Sequence, residues 1–230
     1  MNSRDHIYRL IAQGEHQELD FKYEMNDSRK IARTLSAFAN TDGGRLLVGV
    51  KDNGKIVGVD TQEEIYMVEA AAQVFSTPEV NFQGKLHEVE GKDVLEVIIQ
   101  KSEEKHYVKE ETGPALAYIR KGDMTLKASS VLIRIWHMKK NIKGQNFTYG
   151  SKEELLFKYL KEHGEISFNK YCKISKQHYK KAMNTLARLV IWNVIEMDET
   201  EKGVRYILSI EHDRALKKLE HKEDTEVQVH

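Results

Sequence analysis

Three stretches of the chain carry residue types able to do chemistry. The first is Gly49-Val-Lys-Asp-Asn-Gly54-Lys55, which holds a carboxylate, Asp52, at the mouth of an Asn53-Gly54 turn. Its spacing nearly spells a phosphate-binding P-loop. That loop needs Ser or Thr after the lysine and must open a helix whose N-terminus meets the phosphates. Here Ile56 follows, and Ile56 to Val59 reads as a strand. Nucleotide hydrolysis by this segment is rejected on those grounds.

The second stretch is Glu15 to Tyr23. Leu19, Phe21 and Tyr23 alternate with Glu18, Asp20 and Lys22, the period of a half-buried strand. Lys22 shares a face with Asp20, where it can offset the carboxylate or touch a phosphate. The third stretch, Ser167 to Ile195, contains no acidic residue but holds Lys170, Lys173, Lys176, Lys180, Lys181 and Arg188. On a recognition helix, lysines at Lys176, Lys180 and Lys181 neutralise phosphates, while Gln177 and Asn184 reach base edges. A solvated basic face on a protein-interaction module is the competing reading. Acidic residues from Glu196 to Glu201 count against a wing that tracks the phosphate backbone. The ten histidines show no pair at ligand spacing, although His6, His16 and His106 lie on segments that can approach the acids. Cys172 with His178 is too small a set for zinc.

These residues need elements to position them. Asp27-Ser28 caps a helix in which Ile31, Leu35, Phe38 and Ala39 share a face. Gly43-Gly44 turns the chain into a buried strand, Leu46 to Val50. The Asn-Gly turn then predicts a tight hairpin returning through Val59. A short helix is expected over Asn2 to Gln13, another after Asp60-Thr61, and a hairpin over Val80 to Gln100 about Glu90-Gly91. A strand follows at Ala115 to Arg120, then a helix from Ser129-Ser130 to about Lys140. The mixture reads as α+β. A polar stretch at 141–150 reads as a linker between an N-terminal domain, 1–140, and a second domain, 151–210. In that second domain Ser151 and Glu154 suit a capping box, Ser175 caps a third helix, and two strands close the segment. Helix, helix, helix, hairpin is a winged-helix order. Residues 211–230 read as a charged, partly disordered tail.

The totals narrow the class. The chain has 230 residues, 40% of them apolar and 31% charged, with 36 basic and 36 acidic residues. That suits a soluble globular protein whose partner preference must come from local charge. A single cysteine, Cys172, excludes a disulfide framework and favours the cytoplasm. No apolar run reaches the roughly 18 residues of a membrane span, and no signal-peptide core is present.

Read together, the motifs resemble the AlbA-like domain of the Schlafen family and its bacterial relatives. The resemblance rests on Glu15-His-Gln-Glu-Leu-Asp20-Phe21-Lys22, Ala37-Phe-Ala-Asn-Thr-Asp-Gly-Gly44 and Gly49-Val-Lys-Asp52-Asn-Gly54-Lys-Ile56-Val-Gly58. Tyr118-Ile-Arg120-Lys-Gly122 and Ala128-Ser129 extend it. It implies an α+β domain that binds nucleic acid, in proteins described as DNA-binding, ATP-binding or regulatory, with a C-terminal winged helix in many bacterial members. It also implies that the acidic triad of the ribonuclease members falls on Glu15, Asp20 and Asp52. There Mg²⁺ or Mn²⁺ would activate water, with Lys22 assisting. Asp20 stands where the family pattern has glutamate, which withdraws that charge by one methylene. The family's zinc-binding cysteines have no counterpart.

Three functions stay open at this point. One is a bacterial, homodimeric transcription regulator that contacts DNA or RNA. The second is a metal-dependent endoribonuclease. The third is an assembly module without nucleic acid. No cofactor is certain; Mg²⁺ or Mn²⁺ belongs to the nuclease reading only.

Overall fold

The apolar stripe on residues 31–39 makes one helix the centre of the first unit. Helix α2, Ser28–Asn40, is capped by Asp27, which accepts from the amides of Arg29 and Lys30 at 2.9 and 3.3 Å. Two amides with no intrahelical acceptor are thereby satisfied. The computed structural model describes residues 2–139 and 150–210. It divides into two compact units, Met1–Ala128 and Ser129–His230, and the fold is α+β.

The first unit also contains α1 (Ser3–Ile11), β1 (Leu19–Lys22) and β2 (Gly44–Val48). Helix α3 (Thr61–Glu69) runs into a π-helical turn at Ala70–Val74. The strands β3 (Ser76–Thr77), β4 (Phe82–Val89), β5 (Lys92–Ile99), β6 (Tyr107–Val108), β7 (Leu116–Lys121) and β8 (Met124–Lys127) complete it. One sheet has the order β1-β2-β5-β4, with β1 parallel to β2. The other is β3-β6-β7-β8 and antiparallel.

Both faces of the first sheet are covered. On one, Leu46, Val48, Val97 and Ile99 join Leu35 and Phe38 of α2 in the main core. On the other, Leu19, Phe21, Leu47 and Val94 meet Ile7 of α1. The half-buried strand expected at 19–23 is therefore covered on both sides over Leu19 to Phe21, and Tyr23 is exposed. The expected hairpin also changes form. Val50 and Ile56 make a single bridge, and Ile56 to Val59 is not a strand. Strand β2 already has β1 and β5 on its two edges, so no edge remains for a returning partner. The amides of Val57 and Gly58 instead donate to the Gly49 carbonyl, at 2.8 and 3.1 Å.

The second unit comprises α4 (Ser130–Lys139), α5 (Ser151–His163), β9 (Glu165–Ser167), α6 (Phe168–Ser175), α7 (Tyr179–Ile191), β10 (Ile195–Thr200) and β11 (Gly203–Leu208). Its sheet order is β10-β11-β9. Leu156, Leu160, Tyr171, Leu186 and Tyr206 form its core, and Val131 and Ile135 of α4 pack into it. Those two contacts place α4 with the second unit, ahead of the boundary read from the sequence near residue 140. Gly150, not Ser151, stands at the α5 N-cap, and its amide donates to Glu153 at 3.2 Å. Ser175 ends α6, and Lys176 takes a left-handed conformation at φ 51°. The helix expected from Ser175 therefore begins later, at Tyr179. The tail at 211–230 and the 141–149 part of the expected linker lie outside the described residues.

Candidate functional site

Strand β1 is an edge strand, so part of its backbone faces no neighbouring strand. The Phe21 amide donates to Glu15 Oε1 at 2.9 Å, which seats the Glu15 carboxyl against the strand. Asp20, on that strand, is buried at 4% exposure. Arg120 of β7 donates from Nη2 to Asp20 Oδ1 at 3.0 Å, and Lys22 Nζ stands 2.8 Å from Oδ2. Lys22 is aligned for a hydrogen bond to the Phe21 carbonyl at 2.7 Å, so its attraction to Asp20 is an ion pair of distance more than direction. Arg120 is itself 3% exposed. It donates to the Leu19 carbonyl at 3.2 Å and to Thr125 at 3.3 Å, and its guanidinium lies 5.1 Å from the Phe38 ring centre.

Burial pushes the Glu15 carboxyl above its ordinary range, against the pull of the Phe21 amide, and the adjacent Asp20 pushes it the same way. Asp20 meanwhile has a buried guanidinium at one oxygen and an ammonium at the other. Raised in this way, the Glu15 carboxyl is suited to hold a proton against the β1 backbone.

Asp52 is exposed on the 51–55 turn. Among the described residues, the acids Glu15, Asp20 and Asp52 do not bring one oxygen each within 4.8 Å of one another. His106 is buried, with Nδ1 2.9 Å from the Pro78 carbonyl. His6 reaches Glu96, not the acids near residue 20.

The Ala37–Gly44 motif does structural work beside this cluster. Buried Asn40 donates to the His106 and Tyr118 carbonyls, both at 2.9 Å, and accepts from the His106 amide at 2.8 Å. Thr41 accepts from the Arg120 amide at 2.9 Å. A Cβ on Gly44 (φ +156°) would stand 2.4 Å from the Phe38 ring. The motif thus ties α2 to β7 and holds Arg120 in place.

Glu96 and Arg120 are the functional candidates that sequence reasoning missed. Glu96 on β5 is 1% exposed. Its Oε1 accepts from Arg45, and its Oε2 lies 2.9 Å from His87 Nε2 and 3.1 Å from His6 Nε2. Burial works against the charged form, but Arg45, His87 and His6 together hold the Glu96 carboxyl below its ordinary range. Its apolar neighbours in sequence hid it. A lone acid within Val94 to Ile99 was the available clue.

In the second unit, Lys176, His178, Tyr179, Lys180 and Lys181 are exposed. Gln177 is half-buried. Asn184 is half-buried too, and its Oδ1 accepts from Arg134 Nε of α4 at 2.7 Å. Of the five residues expected at nucleic acid, three lysines face solvent and the two amides are turned towards the protein. Glu196 and Glu201 are exposed at the hairpin.

A family model described as Schlafen, AlbA_2 matches residues 15–129, half of the chain. The protein belongs to the Schlafen, AlbA_2 family. The match takes in Glu15, Asp20, Lys22, Asp52 and Arg120, and leaves α1 and nearly all of the second unit outside it. No curated protein matches the chain. Among solved structures, the DIP2311 protein of Corynebacterium diphtheriae is similar at 18% identity and TM-score 0.40. That likeness covers 62% of this chain and 33% of DIP2311, so the chain spans about a third of that protein's length. The N-terminal domain of a RecG-related protein from Nitrosomonas europaea is similar at 20% identity and TM-score 0.39. There the coverage is 66% of this chain and 96% of that domain.

Proposed function

We propose that this Schlafen, AlbA_2 protein binds nucleic acid and acts as a bacterial transcription regulator. In this reading the second unit is a winged helix that docks α7 on duplex DNA, and the protein works as a homodimer in the cytoplasm. The observation that carries it is the exposed cationic row Lys176, Lys180 and Lys181 in a stretch without acids from Ser167 to Ile195. The order α5-β9-α6-α7-β10-β11, with a three-stranded antiparallel sheet, supports it. Exposed Glu196 and Glu201 repel phosphate, so contact is assigned to α7 and the turn before it. With Gln177 and Asn184 turned inward, phosphate attraction outweighs base reading, and binding is weakly sequence-selective. No described helix is long and apolar enough to cross a membrane.

Duplex binding tests the proposal. Wild-type protein should bind with strong salt dependence, and Lys180→Ala/Lys181→Ala should weaken it and flatten the salt slope by about 2 units in log–log form. Absence of salt-dependent duplex binding by the wild type removes the reading. Light scattering that gives a monomer mass removes the dimer.

One observation favours a second reading, a metal-dependent ribonuclease: Glu15 and Asp20 share a site with Lys22 at its exposed edge. Asp52 would have to swing in from its turn to complete a Mg²⁺ or Mn²⁺ site. Transfer RNA incubated with protein and Mn²⁺ should then be cut, and Asp52→Ala should abolish the cutting. RNA left intact at high protein concentration sinks this reading. An assembly role without nucleic acid is what remains if both assays are negative.

A further inference from the structure

We propose that His6, His87 and Glu96 form a binding site for a divalent transition metal of the zinc class, which fastens α1 to the β4–β5 hairpin. Each side chain comes from a different element: His6 from α1, His87 from β4, Glu96 from β5. Their ligand atoms all lie within 4.8 Å of one another, the one such group among the described residues. Both imidazoles present Nε2 to the same carboxylate oxygen, Oε2, at 3.1 and 2.9 Å. Ligands about 2.0–2.1 Å from a tetrahedral zinc stand roughly 3.3 Å apart. An ion therefore enters by spreading each contact a few tenths of an ångström.

The supports around the three ligands suit this use. Arg45 takes Glu96 Oε1, which fixes the carboxylate and leaves Oε2 as the ligand oxygen, the kind of outer contact that orients metal ligands. Helix α1 is braced by buried Ile7 and by Arg4 and Tyr8, which both donate to Glu90 at the hairpin turn, at 3.1 and 2.9 Å. His6 is thereby held over the sheet. The side chains of Glu96, His87 and His6 are 1%, 12% and 25% exposed, so the site is closed at the sheet and opens at His6. A fourth ligand, water or an external anion, enters there. Two imidazoles and one carboxylate select zinc-class ions over Mg²⁺ or Ca²⁺, which prefer oxygen alone.

A purely structural account of Glu96 is less complete. The surrounding face is apolar, with Leu47 and Val94 packed against Phe21, and an apolar residue at 96 would continue it. Replacing a buried ion pair by apolar packing is often neutral or stabilising. Arg45 alone already neutralises the carboxylate. Two further imidazoles on the remaining oxygen go beyond what neutralisation requires. This inference is independent of the carboxylates near residue 20.

Chelator-stripped full-length protein titrated with Co²⁺ tests it. The expected result is visible d–d absorption that saturates at one ion per chain and is displaced by Zn²⁺. His6→Ala and His87→Ala should each weaken binding by at least about 100-fold, with His163→Ala as a control that leaves it unchanged. Circular dichroism checks that each variant is folded. If His87→Ala does not fold, His6→Gln, at the exposed end of the site, reports on the same ion. Lack of saturable d–d bands, or binding undiminished in folded His6 variants, overturns the proposal.

Discussion

Arg120 ties β7 to β1 and to β8. Its guanidinium holds Asp20, the Leu19 carbonyl and Thr125 at once, at 3.0, 3.2 and 3.3 Å. Removing one partner of a buried pair leaves the other charge without compensation, at a cost of about 3–5 kcal/mol. Arg120→Ala should therefore lower stability by about that amount in denaturant unfolding, while Asp20→Asn/Arg120→Ala recovers part of the loss. Equal stability of Arg120→Ala and wild type would show the pair to be dispensable. The period-2 pattern of 19–23 placed Asp20 on a solvent face. What overrides it lies 100 residues away in sequence, and no local pattern reports a partner at that distance. Glu15, in contrast, could be read as a candidate because the motif surrounding it is contiguous.

At the scale of elements, helix α2 is tied outward as well as inward. Its Arg33 forks onto Glu110 ahead of β7, and Tyr118 of β7 donates to the same carboxylate at 2.6 Å. Arg33 holds the Glu110 carboxyl below its ordinary value, against the effect of burial. A depressed carboxylate stabilises the fold at neutral pH and loses that contribution as pH falls below 4.5 and through the lower folded value. Burial first, and then Glu110, push the Tyr118 hydroxyl up to about 12. That contribution is complete below pH 10, the ordinary tyrosine value, and is lost as pH rises through about 12. Glu110→Gln should lower stability at pH 7, flatten the acid limb of the stability–pH curve, and change the alkaline limb less, because burial of Tyr118 persists. An unchanged acid limb would mean that the fork contributes nothing. Elements built from local rules were legible: the α2 cap and stripe, the Glu90-Gly91 turn, and the two closing strands. The return strand after Asn53-Gly54 was not. A turn sequence proposes a hairpin, but sheet neighbours decide whether a free edge exists, and β2 has none.

At the scale of the molecule, equal numbers of basic and acidic residues, 36 each, give no long-range pull on a polyanion. Any attraction must be local to the Ser167–Ile195 stretch. It should fade once the Debye length falls below the spacing of its lysines, within about 3 Å at 1 M salt. Complete loss of duplex binding by that salt is the expected result; binding that persists there would require apolar or base contacts that the inward-facing Gln177 and Asn184 do not supply. The change of residue pattern near residue 140 suggests a division of the chain, and the two compact units divide between Ala128 and Ser129. Helix α4 goes with the second unit because Val131 and Ile135 fit that core, and such a fit is a property of three-dimensional packing.

Helix α1 lies ahead of the matched span, which begins at residue 15, yet it roofs the apolar patch of Leu19, Phe21, Leu47 and Val94. A protein trimmed to the family boundary would lose that roof and present a sticky, water-facing sheet. Poor solubility of such a fragment would then say nothing about the family fold itself. The first fourteen residues are, in effect, the domain's own solubility tag.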